Sequence, residues 1–181
     1  MKTVKATLLK EKDIARKLVR LAHEIIENNT DLSNIAIVGI RTRGEILAHR
    51  VVEHIQEISC ETISQGTIDV TFYRDDFRRN NKQLIPNEVN IDFNIENKHI
   101  ILVDDVLYTG RSIRAALDAI NAYGRPKSVE LVALINRKYN REVPIQPDYT
   151  GEDIDTRAND YVKVDWKDDQ CRVWIITDKT E

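Results

Sequence analysis

Apolar residues along this chain change their spacing several times, and each change marks an element. Residues 11 to 28 put Ile14, Leu18, Leu21, Ala22, Ile25 and Ile26 on one side of a helical wheel and Lys12, Arg16, Lys17 and Arg20 largely on the others. That predicts an amphipathic helix, ended by Asn28-Asn29-Thr30-Asp31, whose basic side is read as solvated. Residues 35 to 40 are a continuous apolar run, the signature of a buried strand, and the helix after Gly44 carries Ile46, Leu47, Val51, Ile55 and Ile58. Residues 67 to 73 alternate Ile68, Val70 and Phe72 with Thr67, Asp69, Thr71 and Tyr73, which predicts a half-buried strand. From Arg74 to about Asn90 the chain is polar and without period, the length of loop that in a compact domain is functional or disordered. Ser128 to Ile135 is another buried strand ending in Asn136-Arg137, and Tyr161 to Val164 and Arg172 to Thr177 read as further strands that could form a hood.

The remaining element organises the others. Ile100 to Val103 is an apolar strand that ends in Asp104 and Asp105, and a short turn leads to Ile113, Ala116, Leu117 and Ile120 at helical spacing. Thr109, Gly110, Arg111 and Ser112 stand where that helix begins, so backbone N–H groups, two hydroxyls and the positive end of the helix dipole converge on one anion. Successive strand side chains point to opposite faces, so the two carboxylates can share a task only where the strand has ended. There, at the carboxyl edge of an open α/β sheet, they can accept hydrogen bonds from sugar hydroxyls and help hold Mg²⁺. A solvated acidic turn capping the helix is the competing reading. Arg41-Thr42-Arg43-Gly44 sits at the other strand-to-helix turn, where guanidinium forks suit a polyanion such as pyrophosphate; a solvated loop competes there too. Gly124-Arg125-Pro126 stops the helix after the central turn.

Composition narrows the class. The 181 residues are one domain's worth of chain, and 41% hydrophobic with 31% charged is ordinary for a soluble globular protein. A formal net charge of −3 argues against a general nucleic-acid coat protein while leaving room for a local basic patch. Cys60 and Cys171 fit neither metal spacing nor a disulfide framework, which points to a reducing cytoplasm. No apolar run is long enough for a signal peptide or a bilayer span. The four histidines, His23, His49, His54 and His99, show no ligand spacing.

Val-Asp-Asp-Val-Leu-Tyr-Thr-Gly-Arg-Ser at 103 to 112 resembles the 5-phosphoribosyl-1-diphosphate (PRPP) motif of type I phosphoribosyltransferases. More narrowly, the chain resembles the bifunctional pyrimidine-operon attenuation regulators that are also uracil phosphoribosyltransferases. Val-Gly-Ile-Arg-Thr-Arg-Gly at 38 to 44, Ile-Asp-Val-Thr-Phe-Tyr-Arg-Asp-Asp at 68 to 76, Gly-Arg-Pro at 124 to 126 and Asp-Tyr-Thr-Gly at 148 to 151 carry that match, which weakens only after about residue 160. The resemblance implies a doubly wound parallel α/β sheet, with a core over about 30 to 137, a small hood from the N-terminal stretch and about 138 to 181, and a flexible loop. It implies conversion of uracil and PRPP to UMP and pyrophosphate with Mg²⁺, and a homo-oligomer, dimer or larger.

Residue by residue, the resemblance assigns the 5′-phosphate to Tyr108, Thr109, Gly110, Arg111 and Ser112, with Val106 and Leu107 completing the substrate-binding motif. Asp104 and Asp105 take the ribose hydroxyls and, through ribose and pyrophosphate, the metal. Arg41, Thr42 and Arg43 take pyrophosphate, in a loop that in the family often holds a non-proline cis peptide. Arg74, on the loop that closes over the reacting centre, joins them; Arg78 and Arg79 are read as solvated. Base recognition falls to a hood segment that corresponds to Arg137 and to Asp148 through Val162. Purine enzymes carry an Asp before the Thr-Gly of the motif; Tyr108 stands there and favours a pyrimidine. Two departures are visible: residues 136 to 141 run one residue longer than the usual Asp-Arg-Gly-His-Arg, and Ile154-Asp155-Thr156 replaces Ile-Pro-Thr. Regulators of this kind bind pyrimidine-leader RNA through the first helix and the segment after Asp-Tyr-x-Gly. Arg20 and His23 are retained, but Val19 replaces a Thr, Asn28 an Arg and Glu152 a Lys, so catalysis with weakened RNA recognition is the expectation.

Overall fold

In the computed structural model, residues 2–70, 90–157, 159–167 and 171–178 are described. The loop expected from Arg74 to about Asn90, with Arg74, Asp75, Asp76, Arg78 and Arg79, lies outside them but for Asn90. Helix α1 spans Glu11–Asn28 and buries Ile14, Leu18, Leu21, Ala22 and Ile25, the apolar side read from the periodicity. Strand β2 is Ile35–Ile40 and helix α2 is Arg43–Ser59; β1, Lys2–Leu9, precedes them. β3 is Ser64–Ile68, β4 His99–Leu107, α3 Arg111–Tyr123 and β5 Ser128–Arg137. β6 is Tyr149–Ile154, β7 Asp160–Asp165 and β8 Arg172–Asp178.

Five strands form one sheet in the order β3-β2-β4-β5-β6, and every pairing in it is parallel. Alternation along the strands sorts their side chains to two sides. Ile35, Ile37, Ile101, Val103, Val132 and Leu134 join the core formed with α1 and α2, while Ala36, Val38, Ile100, Leu102, Leu131 and Ala133 join that formed with α3. Burial on both sides is why these strands read as unbroken apolar runs. Strand order reverses between β2 and β4, so a crevice opens beyond their carboxyl ends, beside residues 41–43 and 104–112.

Three expectations need correction. The strand expected at 67 to 73 begins earlier, as β3 at 64–68, and Thr67, Ile68, Asp69 and Val70 are buried, polar and apolar alike; Thr71, Phe72 and Tyr73 lie outside the described residues. An alternating sequence pattern cannot reveal a polar residue covered by its neighbours. The acidic pair does not follow the strand's end: β4 runs on to Leu107, because β5 continues to pair with it after β2 has stopped at Val103. The stretch assigned to the hood from Asp148 is divided. β6 pairs with β5 as the fifth strand of the core sheet, whereas β7 joins β8 and β1 in a separate antiparallel sheet, ordered β1-β8-β7.

Asp160 ties that small sheet together. Its Oδ2 accepts from Lys5 Nζ on β1 at 2.9 Å and its Oδ1 from Thr177 Oγ1 on β8 at 2.6 Å. These bonds, led by that from Thr177, hold the Asp160 carboxyl at about 2, below its ordinary 3.8. A carboxylate with a lowered folded pKa stabilises the fold above the unfolded value and stops doing so as pH falls through the folded one. Asp160→Asn should therefore flatten the acid limb of unfolding between about pH 4 and pH 2. Trp166 and Trp174 fluorescence reports this sheet; superimposed acid titrations of parent and variant would refute the assignment.

Candidate active site

Two glycines bring the first turn of α2 down onto the sheet. A Cβ on Gly44 would stand 2.4 Å from the Val103 carbonyl oxygen, and one on Gly39 2.6 Å from the Glu45 Cα, so only hydrogen fits at either place. The approach lowers Arg41, Thr42 and Arg43 into the crevice; the peptide between Arg41 and Thr42 is cis, as the resemblance implies. Arg41 N donates to the Ile68 carbonyl at 2.9 Å, and its Nε lies 3.4 Å from Glu45 Oε2.

The strand's alternation continues through the acidic pair and separates the two carboxylates. Asp104 lines a cavity of about 190 Å³ shared with residues 106–113. Asp105 turns toward α2, where its Oδ2 is 4.0 Å from Arg43 Nη1, beyond hydrogen-bond reach. Burial raises the Asp105 carboxyl above its ordinary value, with Arg43 opposing. Among the described residues, Asp105 Oδ2 and Arg41 Nε are both buried without a hydrogen-bond partner. Arg41 Nε keeps its ion pair with Glu45, but buried polar atoms are almost always satisfied, so Asp105 Oδ2 beside the crevice suits a ligand that completes it.

The lining of the cavity suits an anion. Gly110, at φ +88°, reverses the chain before α3, whose first N–H groups have no partner within the helix. Thr109, Gly110, Arg111 and Ser112 all line it, as do Val106, Leu107 and Tyr108. Arg111 contributes less than its charge suggests, because its guanidinium pairs with Glu142. The segment after β5 closes the far side: Glu142 N and Val143 N donate to the Thr109 carbonyl at 2.9 and 3.2 Å.

Arg137 is almost fully buried. Its guanidinium lies 3.8 Å from the centre of the Tyr108 ring, and its Nε donates to Thr156 Oγ1 at 2.8 Å. Burial draws its pKa down, with Tyr108 and Asp160 opposing. Val162 sits half-buried in β7, opposite Ile175, against the core shared with Val106. Arg74 lies outside the described residues. Among the described residues no cluster of three or more His, Cys, Asp or Glu is arranged to hold a metal ion.

Sequence reasoning missed Arg141 and Glu142. Arg141 ends the segment marked as one residue too long and Glu142 follows it, but nothing local separates a guanidinium that meets carbonyls from one in solvent.

The family model described as "Phosphoribosyl transferase domain" matches residues 5–169. The "Bifunctional protein PyrR" of Clostridioides difficile (strain 630) is 44% identical over 160 residues, 88% of this chain and 90% of that protein. The protein of the same name from Thermoanaerobacter sp. (strain X514) is 42% identical over 177 residues, 97% and 99% of the two chains. Among solved structures, a hypoxanthine-guanine phosphoribosyltransferase from Bacillus anthracis superposes with a TM-score of 0.68, covering 84% of this chain and 85% of that one; at 21% identity it speaks for the fold alone. With a crevice at the strand switch beside residues 104–112 and relatives matched nearly end to end, the chain belongs to the phosphoribosyltransferases and, among them, to the family of bifunctional PyrR proteins.

Proposed function

We propose that this phosphoribosyltransferase transfers ribose 5-phosphate from PRPP to uracil, releasing pyrophosphate and UMP. The observation that carries the choice of base is Tyr108, stacked under the Arg137 guanidinium where purine enzymes keep an acidic side chain. A phenol covered by a cation offers no carboxylate to exchange a proton with a purine ring. In this reading the 106–112 turn binds the 5′-phosphate, and Asp104 orients the ribose hydroxyls from the cradle side. Asp105 receives hydrogen bonds that satisfy its orphaned Oδ2, and Arg41, Thr42 and Arg43 hold the leaving pyrophosphate, joined by Arg74. Arg137 and the backbone near Val162 face the base. Loss of pyrophosphate leaves an oxocarbenium-like sugar, so the chain's task is to position the base and stabilise a polyanion rather than to supply a nucleophile.

Mg²⁺ fits a crevice with Asp104 on the cavity side and Asp105 facing Arg43, because this ion keeps waters and substrate phosphates as most of its ligands. Held through the ribose and pyrophosphate that Asp104 and Asp105 would contact, it would neutralise charge on the departing pyrophosphate. The resemblance also supports a cytoplasmic homo-oligomer, dimer or larger, and two cysteines without a disulfide suit that compartment. Among the described residues no helix is long and apolar enough to cross a membrane.

Assays of purified protein with PRPP and each base test the reading. Turnover with uracil and none with hypoxanthine or guanine is expected; the reverse would establish the purine alternative.

Regulation through pyrimidine-leader RNA is the second reading, and the structure favours a weakened form of it. Glu152, where relatives of this kind use Lys, pairs with Lys17, and Arg20 Nη2 donates to the Thr150 and Gly151 carbonyls at 2.7 and 2.8 Å. Two cations of the α1 face are thus engaged by the outer edge of β6. Each phosphate left uncontacted removes about 0.7 to 0.9 from the slope of log affinity against log salt. A shallow slope with a leader hairpin is expected, and tight, specific binding at physiological salt would make the chain a full attenuator.

A further inference from the structure

The segment that follows β5 carries one side chain bonded to the backbone that leads into the phosphate turn, to the end of β5 and to residue 145. Arg141 Nη1 donates to the carbonyls of Leu107, at 3.3 Å, and Tyr108, and also to that of Arg137, at 2.9 Å. Its Nη2 donates to Asn136 Oδ1 and its Nε to the Ile145 carbonyl at 2.9 Å. One guanidinium thereby joins the end of β4, the end of β5 and the turn at 145. The turn it holds is the one that carries Tyr108 and Thr109 into the cradle. Gly110 packs beneath the same strap, where a Cβ would meet Val143 and Ile145 at 3.5 and 3.6 Å.

We infer that Arg141 is a positioning residue: it fastens the 107–109 backbone to the end of β5 and so sets the shape of the 5′-phosphate cradle without touching substrate. The inference rests on the phosphoribosyl reading of that cradle. Five acceptors arranged around a planar fork suit arginine alone. A lysine offers three donors from a single point and cannot span β4, β5 and residue 145 together. Arg41, in the turn before α2, and Arg43, the first residue of α2, stand outside this network, so pyrophosphate binding is independent of it. A change at Arg141 should therefore separate two anion sites of one crevice.

The test compares the parent with Arg141→Lys and Arg141→Gln. Lys138→Ala serves as a control, because it removes an ion pair with Asp153 from the same segment. Calorimetry with ribose 5-phosphate and, separately, inorganic pyrophosphate reads the two sites. Ribose 5-phosphate is expected to bind roughly 10- to 100-fold more weakly to both Arg141 variants, the equivalent of losing a charge-assisted hydrogen bond. Pyrophosphate affinity should be unchanged, and Lys138→Ala should match the parent with both probes. In the ligand-free proteins, amide exchange over 107–112 should accelerate in Arg141→Lys while β2 and β5 keep their protection. Should Arg141→Gln fail to fold, Arg141→Lys and Asn136→Ala, which removes one acceptor, decide the matter.

Parental ribose 5-phosphate affinity in Arg141→Lys, or equal weakening of both probes, overturns the positioning role. If the parent binds neither probe but Arg141→Lys still loosens 107–112, the clamp stands and the phosphoribosyl reading fails instead.

Discussion

Replacing Asp104 and Asp105 together by Asn is expected to lower kcat/KM for uracil and PRPP by roughly 10²- to 10⁴-fold, with the sheet intact. Each carboxylate stands to lose charge-assisted hydrogen bonds worth about 1.5–3 kcal/mol. The two losses differ in kind, because Asp104 opens on the phosphate cavity and Asp105 lies under Arg43. Asp105 is also a liability to the free protein: among the described residues its Oδ2 is buried without a hydrogen-bond partner, and burial raises its pKa. Because that folded value is raised, the ionised carboxylate costs stability as pH climbs through it, and a neutral amide removes the cost. Asp105→Asn alone should therefore raise the Tm of the ligand-free protein, by about 2–4 °C for each kcal/mol relieved, while lowering activity. Parental turnover in the double variant would reduce the pair to an acidic turn. A lower Tm in Asp105→Asn would mean that the charge holds Arg43 in place and is not strained.

Gly44→Ala is expected to be the most damaging single methyl group in the crevice. Its Cβ would lie 2.4 Å from the Val103 carbonyl oxygen and 3.2 Å from the Asp104 Cα, both backbone atoms that cannot swing aside. Helix α2 must then retreat from β4, carrying Arg43 away from Asp105. Overpacking of this kind costs about 1–3 kcal/mol, which for a chain of this length is a fall in Tm of several degrees. Activity should fall further than stability, because pyrophosphate contacts and the Arg43–Asp105 approach shift together. The informative measurement sets Tm beside the KM for PRPP: a substitution that lowers Tm with an unaltered KM would show that the close approach serves packing alone.

Much of the architecture was legible in the chain because local signals agreed. The 11–28 helix matches α1, and the apolar run at 35–40 matches β2. The turn of Thr109-Gly110-Arg111-Ser112 opens α3, with Gly110 in the left-handed region that such a turn requires. In each case the spacing or the residue type is itself the physical cause of the structure. Strand β1 gave no such signal. Its residues Thr3 to Thr7 are exposed, and pairing with β8, distant in sequence, makes it a strand.

By itself, then, the sequence determined helix α1, the buried strands β2 and β5, the acidic pair on β4, the two strand-to-helix turns and the tyrosine that precedes Thr109. Only the tertiary structure decided which way each group faces. Neighbours distant in the chain carry β4 past its expected end, divide Asp104 from Asp105 and place β6 in the core sheet. Arg111 is turned to Glu142, Arg20 to the edge of β6 and Arg141 to the backbone of the cradle. A side chain's type sets what it can bond, and local spacing sets which element it rides on. What it meets depends on strand order and on the close approach of α2 to the sheet, and those are properties of the packed whole.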